Sequence, residues 1–345
     1  MNKNSRMRLG LIGCGTMGEV HRARFERNAD RMEVAVCVDT DTERAQKAAA
    51  LFGAKAAKNY REVLDDLDAV LIALPHHLHH SVGMECLMAG KHVLMEKPLA
   101  NTESQCLDLI GAAKQFGLTL MVGYNQRYHP LIHKMQELIA CKTYGETFHV
   151  SMWTEQLTQC SPDSWVARTE TMGGGQLFSH GCHYIDLLLW FLGEPKSGMH
   201  FGTRSGTPWL EGEGTSDVSI KFVSGALGYH GATWGARGTR LGYSFHAHTD
   251  QGMIEVDQFR GVCLFHRGDP HSGTQRDGEL LLEVETGNLA KHTDLEMAHF
   301  LDCIESGKEP LTNAPDSLQS LRIIWRLYEA EQRGVVADLQ GLGLN

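Results

Sequence analysis

A short apolar run, Arg8-Leu-Gly-Leu-Ile12, ends in Gly13-Cys-Gly15-Thr16-Met17-Gly18 and leads straight into a helix-forming stretch. Few local patterns restrict a fold more. The first glycine permits the tight turn, the second lets backbone approach a pyrophosphate, and the third lets the helix pack close to the sheet. The helix start offers free N–H groups to phosphates. Asp39 stands at the end of the next strand-like run, about 20 residues beyond the last glycine, as the dinucleotide fingerprint requires. An acid there accepts both ribose hydroxyls of an adenosine and repels a 2′-phosphate, so the pattern favours NAD over NADP as cofactor.

The alternation continues. Val34–Val38, Ala69–Leu74, Lys91–Met95 and Thr119–Val122 read as buried strands, with helices at Met17–Asn28, Asp41–Phe52, Ser81–Ala89 and Thr102–Phe116. Near-continuous apolar strands alternating with helices predict a parallel, doubly wound α/β sheet of the Rossmann kind. After residue 123 the grammar changes. Helices at Pro130–Cys141 and His180–Leu192 precede Gly-punctuated, alternating runs over 197–285, including Asp217–Val223 and Tyr243–His248. These predict an α+β domain with a large open, mostly antiparallel sheet. Helices Leu289–Ser306 and Pro315–Arg333 close the chain, and Pro208–Gly214 and Gly268–Gly278 read as mobile loops. At roughly 150 residues per domain, 345 residues make two domains, placed at 1–123 and 124–345.

Composition narrows the function classes. With 42% hydrophobic and 21% charged residues, the chain is neither disordered, collagen-like nor a disulfide scaffold. A net charge of −10 without a basic block argues against nucleic acid and membrane partners. Nine cysteines without a CxxC pair suit reduced thiols and a cytoplasmic location. The start has no signal-peptide pattern, and the longest apolar run, Leu187–Leu192, is far too short to span a bilayer.

A second signature is Gly90-Lys-His-Val-Leu-Met-Glu96-Lys97-Pro98-Leu99, a strand ending in Glu-Lys-Pro where ligands bind in such sheets. A lysine beside a cationic nicotinamide is able to move a proton. With Leu74-Pro75-His-His-Leu-His79, Gly123-Tyr-Asn-Gln-Arg127-Tyr, Gly173-Gly-Gly175 and Gly181-Cys-His183-Tyr-Ile-Asp186, the chain resembles the glucose–fructose oxidoreductase / inositol dehydrogenase / MocA family over nearly its whole length. The resemblance implies an NAD(P)-dependent dehydrogenase of sugars, inositols or related polyols, assembled as a homodimer or homotetramer through its C-terminal sheet. It implies that Lys97 contacts both cofactor and reacting hydroxyl. It places Pro75 and His79 near the cofactor and makes Arg127 a substrate or cofactor contact. The cofactor set is thus Gly13, Gly15, Thr16, Met17, Gly18, Asp39, Leu74, Pro75, His79, Glu96, Lys97 and Arg127.

Many family members carry Asp-x-x-x-His after the triple glycine, with acid and imidazole on one helical face. Here the histidine is His183 and the acid position holds Ser179. A hydroxyl does not stabilise an imidazolium as a carboxylate does, so the dyad is incomplete. Ser179 bonding His183 or the substrate, His180 taking part, or Asp186 orienting the His183 ring are three ways to complete it. His183 is the preferred base, with Lys97 polarising the same hydroxyl. Trp153, Glu155, Trp165, Arg168 and His180 are further candidate sugar contacts, each with an ordinary packing or surface-charge alternative, and Trp234, Arg237 and Tyr243 are weaker ones. His76, His77, His79 and His80 lack the cysteine or carboxylate partners of a zinc site, so no metal is expected. Three functions are carried forward: a sugar or cyclitol dehydrogenase, an NAD-dependent glycosidase working by transient C3 oxidation and elimination, and a nucleotide-bound sensor without catalysis.

Overall fold

A computed structural model describes residues 6–268, 278–286 and 291–344. Six strands form one sheet: β1 (Met7–Ile12), β2 (Met32–Val38), β3 (Lys55–Ala57), β4 (Ala69–Ile72), β5 (His92–Met95) and β6 (Leu120–Val122). Their order is β3-β2-β1-β4-β5-β6, and every neighbouring pair is parallel. Helices α1 (Thr16–Arg22), α2 (Thr42–Ala50), α3 (His79–Met88) and α4 (Glu103–Phe116) lie between them in the chain. All four residues of β4 are fully buried, as a central strand covered on both faces must be. The strand order reverses between β1 and β4, which creates the switch point where such sheets bind ligands. The carboxyl ends of β1, β2, β4 and β5 lead directly into Gly13, Asp39, Leu74-Pro75 and Glu96-Lys97-Pro98.

The remaining elements are α5 (Pro130–Ala140), β7 (Thr147–Glu155), α6 (Thr169–Met172), α7 (Cys182–Leu192), β8 (Pro195–Thr203), β9 (Thr215–Phe222), β10 (Leu227–Thr233), β11 (Tyr243–Thr249), β12 (Gly252–Asp257), β13 (Val262–Arg267), β14 (Glu279–Glu283), α8 (Thr293–Ser306), α9 (Ala314–Arg333) and β15 (Ala337–Asp338). Nine of these strands form a second sheet, β14-β13-β12-β11-β7-β10-β9-β8-β15. It is antiparallel except between β7 and β10. Along β9, alternate residues are buried and exposed, the pattern of a sheet with one wet face.

The chain folds as two compact units. One comprises Met1–Asn125 with Lys291–Leu318, the other Gln126–Ala290 with Gln319–Asn345. A single boundary at 123/124 therefore leaves α8 on the wrong side. Its Asp294 carboxylate receives Arg24 at 3.0 Å and Arg27 at 2.7 Å, and its carbonyl receives the Asn28 amide at 3.0 Å. The same contacts shorten the predicted Met17–Asn28 helix. It stops at Arg22, and Phe25–Asn28 follows as a separate 3₁₀ turn. Three strands escape the sequence reading, among them the two-residue β15 that pairs with β8 after the last helix. β3 has only three residues, and β7 begins 50 residues before the predicted strand region yet lies at the centre of its sheet. The last-but-one helix starts at Thr293; Leu289 and the 269–277 part of the predicted Gly268–Gly278 loop lie outside the described residues.

Candidate active site

In the first unit the glycine turn satisfies each geometric demand of a dinucleotide cradle. Gly13 has φ +98, and a Cβ there would lie 2.3 Å from the Ala73 carbonyl oxygen. A Cβ on Gly18 would lie 2.2 Å from the Gly13 carbonyl, whereas one on Gly15 would meet nothing within 4 Å. The first and third glycines are thus required by packing, and the second faces open space. Gly15 is the N-cap of α1 and offers its first-turn amides no side-chain acceptor of its own. Thr16 is exposed and Met17 half-buried. A cavity of about 310 Å³ beside the turn is lined by Gly15, Thr16, Arg22, Arg44 and Lys47. Those three cations escaped the sequence reading, because their charges converge only once α1 and α2 are packed.

Among the described residues Asp39 is held by backbone alone: Oδ2 accepts the Cys14 N–H and Oδ1 the Asp41 N–H, both at 2.9 Å. Asp41 in turn caps α2 by accepting from Glu43 and Arg44. A carboxylate offers about four acceptor positions, so Asp39 keeps capacity for two hydroxyls. These residues fit an NAD molecule: a backbone cradle for its pyrophosphate and an oriented acid for its adenosine ribose.

The Glu-Lys-Pro element is anchored from below. The Glu96 carboxylate accepts His21 Nε2–H at 2.7 Å, with both side chains buried. Its other oxygen accepts the Lys97 N–H at 3.2 Å. Burial alone would raise Glu96. The His21 hydrogen bond and charge, aided by Lys97 and Lys291, outweigh it and hold the carboxyl below its usual range. The Lys97–Pro98 bond is cis. His79 fastens this loop to the preceding one: Nδ1 lies 2.7 Å from the Pro98 carbonyl oxygen and Nε2 lies 2.9 Å from that of Leu74. Complete burial lowers its pKa, and the two carbonyls oppose that shift. His79 is thus placed in the structure as a clamp between the Leu74-Pro75 and Lys97-Pro98 loops. Among the described residues no three His, Cys, Asp or Glu side chains converge as a metal site.

In the second unit the triple glycine leads into a π-helical turn, Leu177–Gly181, and then α7. Such turns recur at functional sites. Ser179 and His183 are both buried, while His180 is half-buried. The turn is pinned by Glu213, whose Oε1 accepts Tyr328 O–H at 2.6 Å and Leu177 N–H at 3.0 Å. Tyr328 Oη accepts the Gly175 and Phe178 amides. A Cβ on Gly175 would lie 2.0 Å from Glu213 Oε2, which explains the glycine. His180 Nε2 lies 3.3 Å from Tyr243 Oη, and its ring is 5.2 Å from Tyr184 and 6.4 Å from Trp234.

Arg127 and Asp186 meet each other. Two guanidinium N–H groups donate to the two carboxylate oxygens, both at 2.7 Å, with the pair almost wholly buried. Arg127 also lies over the Trp190 ring, 5.3 Å from its centroid. Of the candidate sugar contacts, Trp165 packs against the Met172–Leu210–Trp234 cluster. Arg168 pairs with Glu211 at 2.8 Å on the surface, and Glu155 accepts the Thr239 hydroxyl.

A doubly wound sheet of this order, with its glycine turn and acid at the switch point, defines a dinucleotide-binding protein. Comparison with known proteins takes the assignment further. Residues 7–124 match the oxidoreductase family with NAD-binding Rossmann fold, and residues 132–255 match the GFO/IDH/MocA C-terminal domain. The chain belongs to the Gfo/Idh/MocA oxidoreductases. It is 28% identical over 285 residues to levoglucosan dehydrogenase of Pseudarthrobacter phenanthrenivorans, covering 72% of this chain and 73% of the relative. It is 26% identical to D-glucoside 3-dehydrogenase of Escherichia coli, covering 97% and 98%. A solved structure of levoglucosan dehydrogenase with NADH superposes with a TM-score of 0.87 over 97% of this chain and 99% of that one, at 22% identity. Among the described residues no helix is long and apolar enough to cross a membrane.

Proposed function

We propose that the protein is an NAD-dependent dehydrogenase that oxidises a secondary hydroxyl of a sugar, glycoside or inositol-like cyclic polyol. The reading is carried by one observation: a glycine cradle, an oriented Asp39 and an anchored Lys97 follow the carboxyl ends of one parallel sheet, in a chain of this family. Bound NAD supplies the hydride acceptor. Asp39 holds the adenosine ribose. Lys97 donates a hydrogen bond to the reacting hydroxyl and stabilises the oxyanion as it forms. His183 takes the hydroxyl proton, a task suited to an imidazole because its ordinary pKa lies near neutrality. The buried Arg127–Asp186 pair supports α7 from beneath, so His183 is held at a fixed position on its helix. The working form is a homodimer or homotetramer.

A second reading draws on the D-glucoside 3-dehydrogenase relative and on Ser179 in the acid position. Oxidation at C3 acidifies the C2 proton, the aglycone is eliminated from C1, water adds across the resulting C1–C2 double bond, and hydride returns to C3. One assay separates the two. Purified protein is given NAD with levoglucosan, inositols and aryl glucosides, and nicotinamide reduction and aglycone release are followed together. Reduced cofactor accumulating mole for mole with oxidised substrate is expected. Aglycone release that needs NAD but leaves none reduced would replace the dehydrogenase with the glycosidase. No reaction with any polyol would sink both.

A further inference from the structure

We propose that Lys291 is a second cationic contact for the dinucleotide, donating to its pyrophosphate beside the glycine turn. The inference rests on the NAD site described above and adds a residue that no motif marks. Lys291 precedes α8 in sequence, 274 residues from Met17, yet its Nζ lies 3.5 Å from Sδ of Met17. Met17 belongs to the Gly13–Gly18 motif itself. A thioether is a weak acceptor, whereas an ammonium carries three donors. Among the described residues that sulfur is the one hydrogen-bond contact of the Lys291 side chain, so most of its donor capacity is unspent next to the place where two phosphates belong.

The backbone supports the placement. His292, the next residue, has φ +42, a left-handed conformation that a non-glycine residue rarely adopts. Such strain persists only where surrounding structure imposes it, and it clusters at ligand sites. Here it turns the chain between Lys291 and α8, whose Asp294 is fixed by Arg24, Arg27 and Asn28. The groups acting on Lys291 also point to an anionic ligand. Loss of hydration lowers its pKa, the Glu96 carboxylate draws it back up, and the Lys97 ammonium pushes it down again. Glu96 is already engaged by His21 and the Lys97 amide. A pyrophosphate would supply the matching negative charge to the two lysines together.

The test is direct binding. NAD and ADP-ribose, which share the pyrophosphate but not the nicotinamide, are titrated calorimetrically into wild type, Lys291→Met and Lys291→Arg, with thermal melts of the free proteins as a folding control. A charge-assisted hydrogen bond is worth roughly tenfold or more in affinity. Both ligands are expected to bind Lys291→Met about that much more weakly, with Lys291→Arg restoring most of the loss. Equal affinity of wild type and Lys291→Met overturns the proposal. So does a loss for NAD with ADP-ribose unchanged, because the contact would then lie at the nicotinamide. A wild type that binds neither ligand would instead refute the NAD site on which the inference rests.

Discussion

Among the described residues, neither carboxylate oxygen of Asp39 is spent on a side chain. Each accepts one backbone N–H, so its orientation is set before any ligand arrives. Asp39→Ser should keep the fold and lose the preference for NAD: the ratio of kcat/KM for NAD over NADP should fall roughly 10- to 100-fold, the value of one or two charge-assisted hydrogen bonds. An unchanged ratio would move the selectivity elsewhere, with Arg44 and Lys47 in the neighbouring cavity as the first place to look. Lys97→Met should cost roughly 100- to 10,000-fold in kcat, the usual weight of a proton-handling group, far more than its effect on NAD affinity read by titration. A variant that turns over normally would remove Lys97 from the chemistry. At this scale the sequence was most informative where backbone geometry forces residue type. Gly13 and Gly18 are legible because no other residue fits. Lys291 was not legible, since nothing local distinguishes it from a surface lysine. Nor was the mutual engagement of Arg127 and Asp186, two residues whose separate candidate roles gave no hint that they would bind each other.

Between elements, contacts far apart in sequence decide what local pattern leaves open. The predicted first helix is shortened by Asp294 of α8, and β7 takes the centre of its sheet although its sequence neighbours are helices. Neither partner is visible from a local window. The α8 helix also carries Glu296, fully buried, with neither carboxylate oxygen hydrogen-bonded among the described residues. Burial pushes its pKa well above the ordinary value, and the Glu96 charge adds to the shift. A free carboxyl titrates near 4.3, so over the range above that value the folded state binds a proton that the unfolded chain has lost. Stability must therefore fall as pH rises from about 4.3 toward the folded pKa. Glu296→Gln keeps the shape and cannot ionise. It should raise Tm by a few degrees at pH 8 and by progressively less toward pH 4.5, read by differential scanning fluorimetry across buffers. A Gln variant less stable than wild type at pH 8 would mean that Glu296 is ionised in the fold.

At the scale of the whole molecule, the change of grammar near residue 123 was legible because buried parallel strands and half-wet antiparallel strands have different hydrophobic periods. The return of residues 291–318 to the first unit was not, because helix periodicity records which face is buried and not against what. This division has a thermodynamic consequence. Gly13, Asp39, Glu96, Lys97 and Lys291 all belong to the unit of Met1–Asn125 and Lys291–Leu318, roughly 150 residues. A ligand that binds only the native state stabilises by about 2.7 kcal/mol at a hundred times its Kd. Unfolding entropy near 2.1 cal/mol/K per residue converts this into a Tm shift that depends on how many residues melt together: about 8 °C for that unit alone and about 4 °C for the whole chain. Each unit has its own sheet and its own buried core, the condition for a domain to unfold by itself. Scanning calorimetry with saturating NAD should therefore show one transition raised by about 8 °C and another left in place. A single transition raised by about half as much would mean that the two units melt as one, and that NAD bound to one stabilises the sheet of the other.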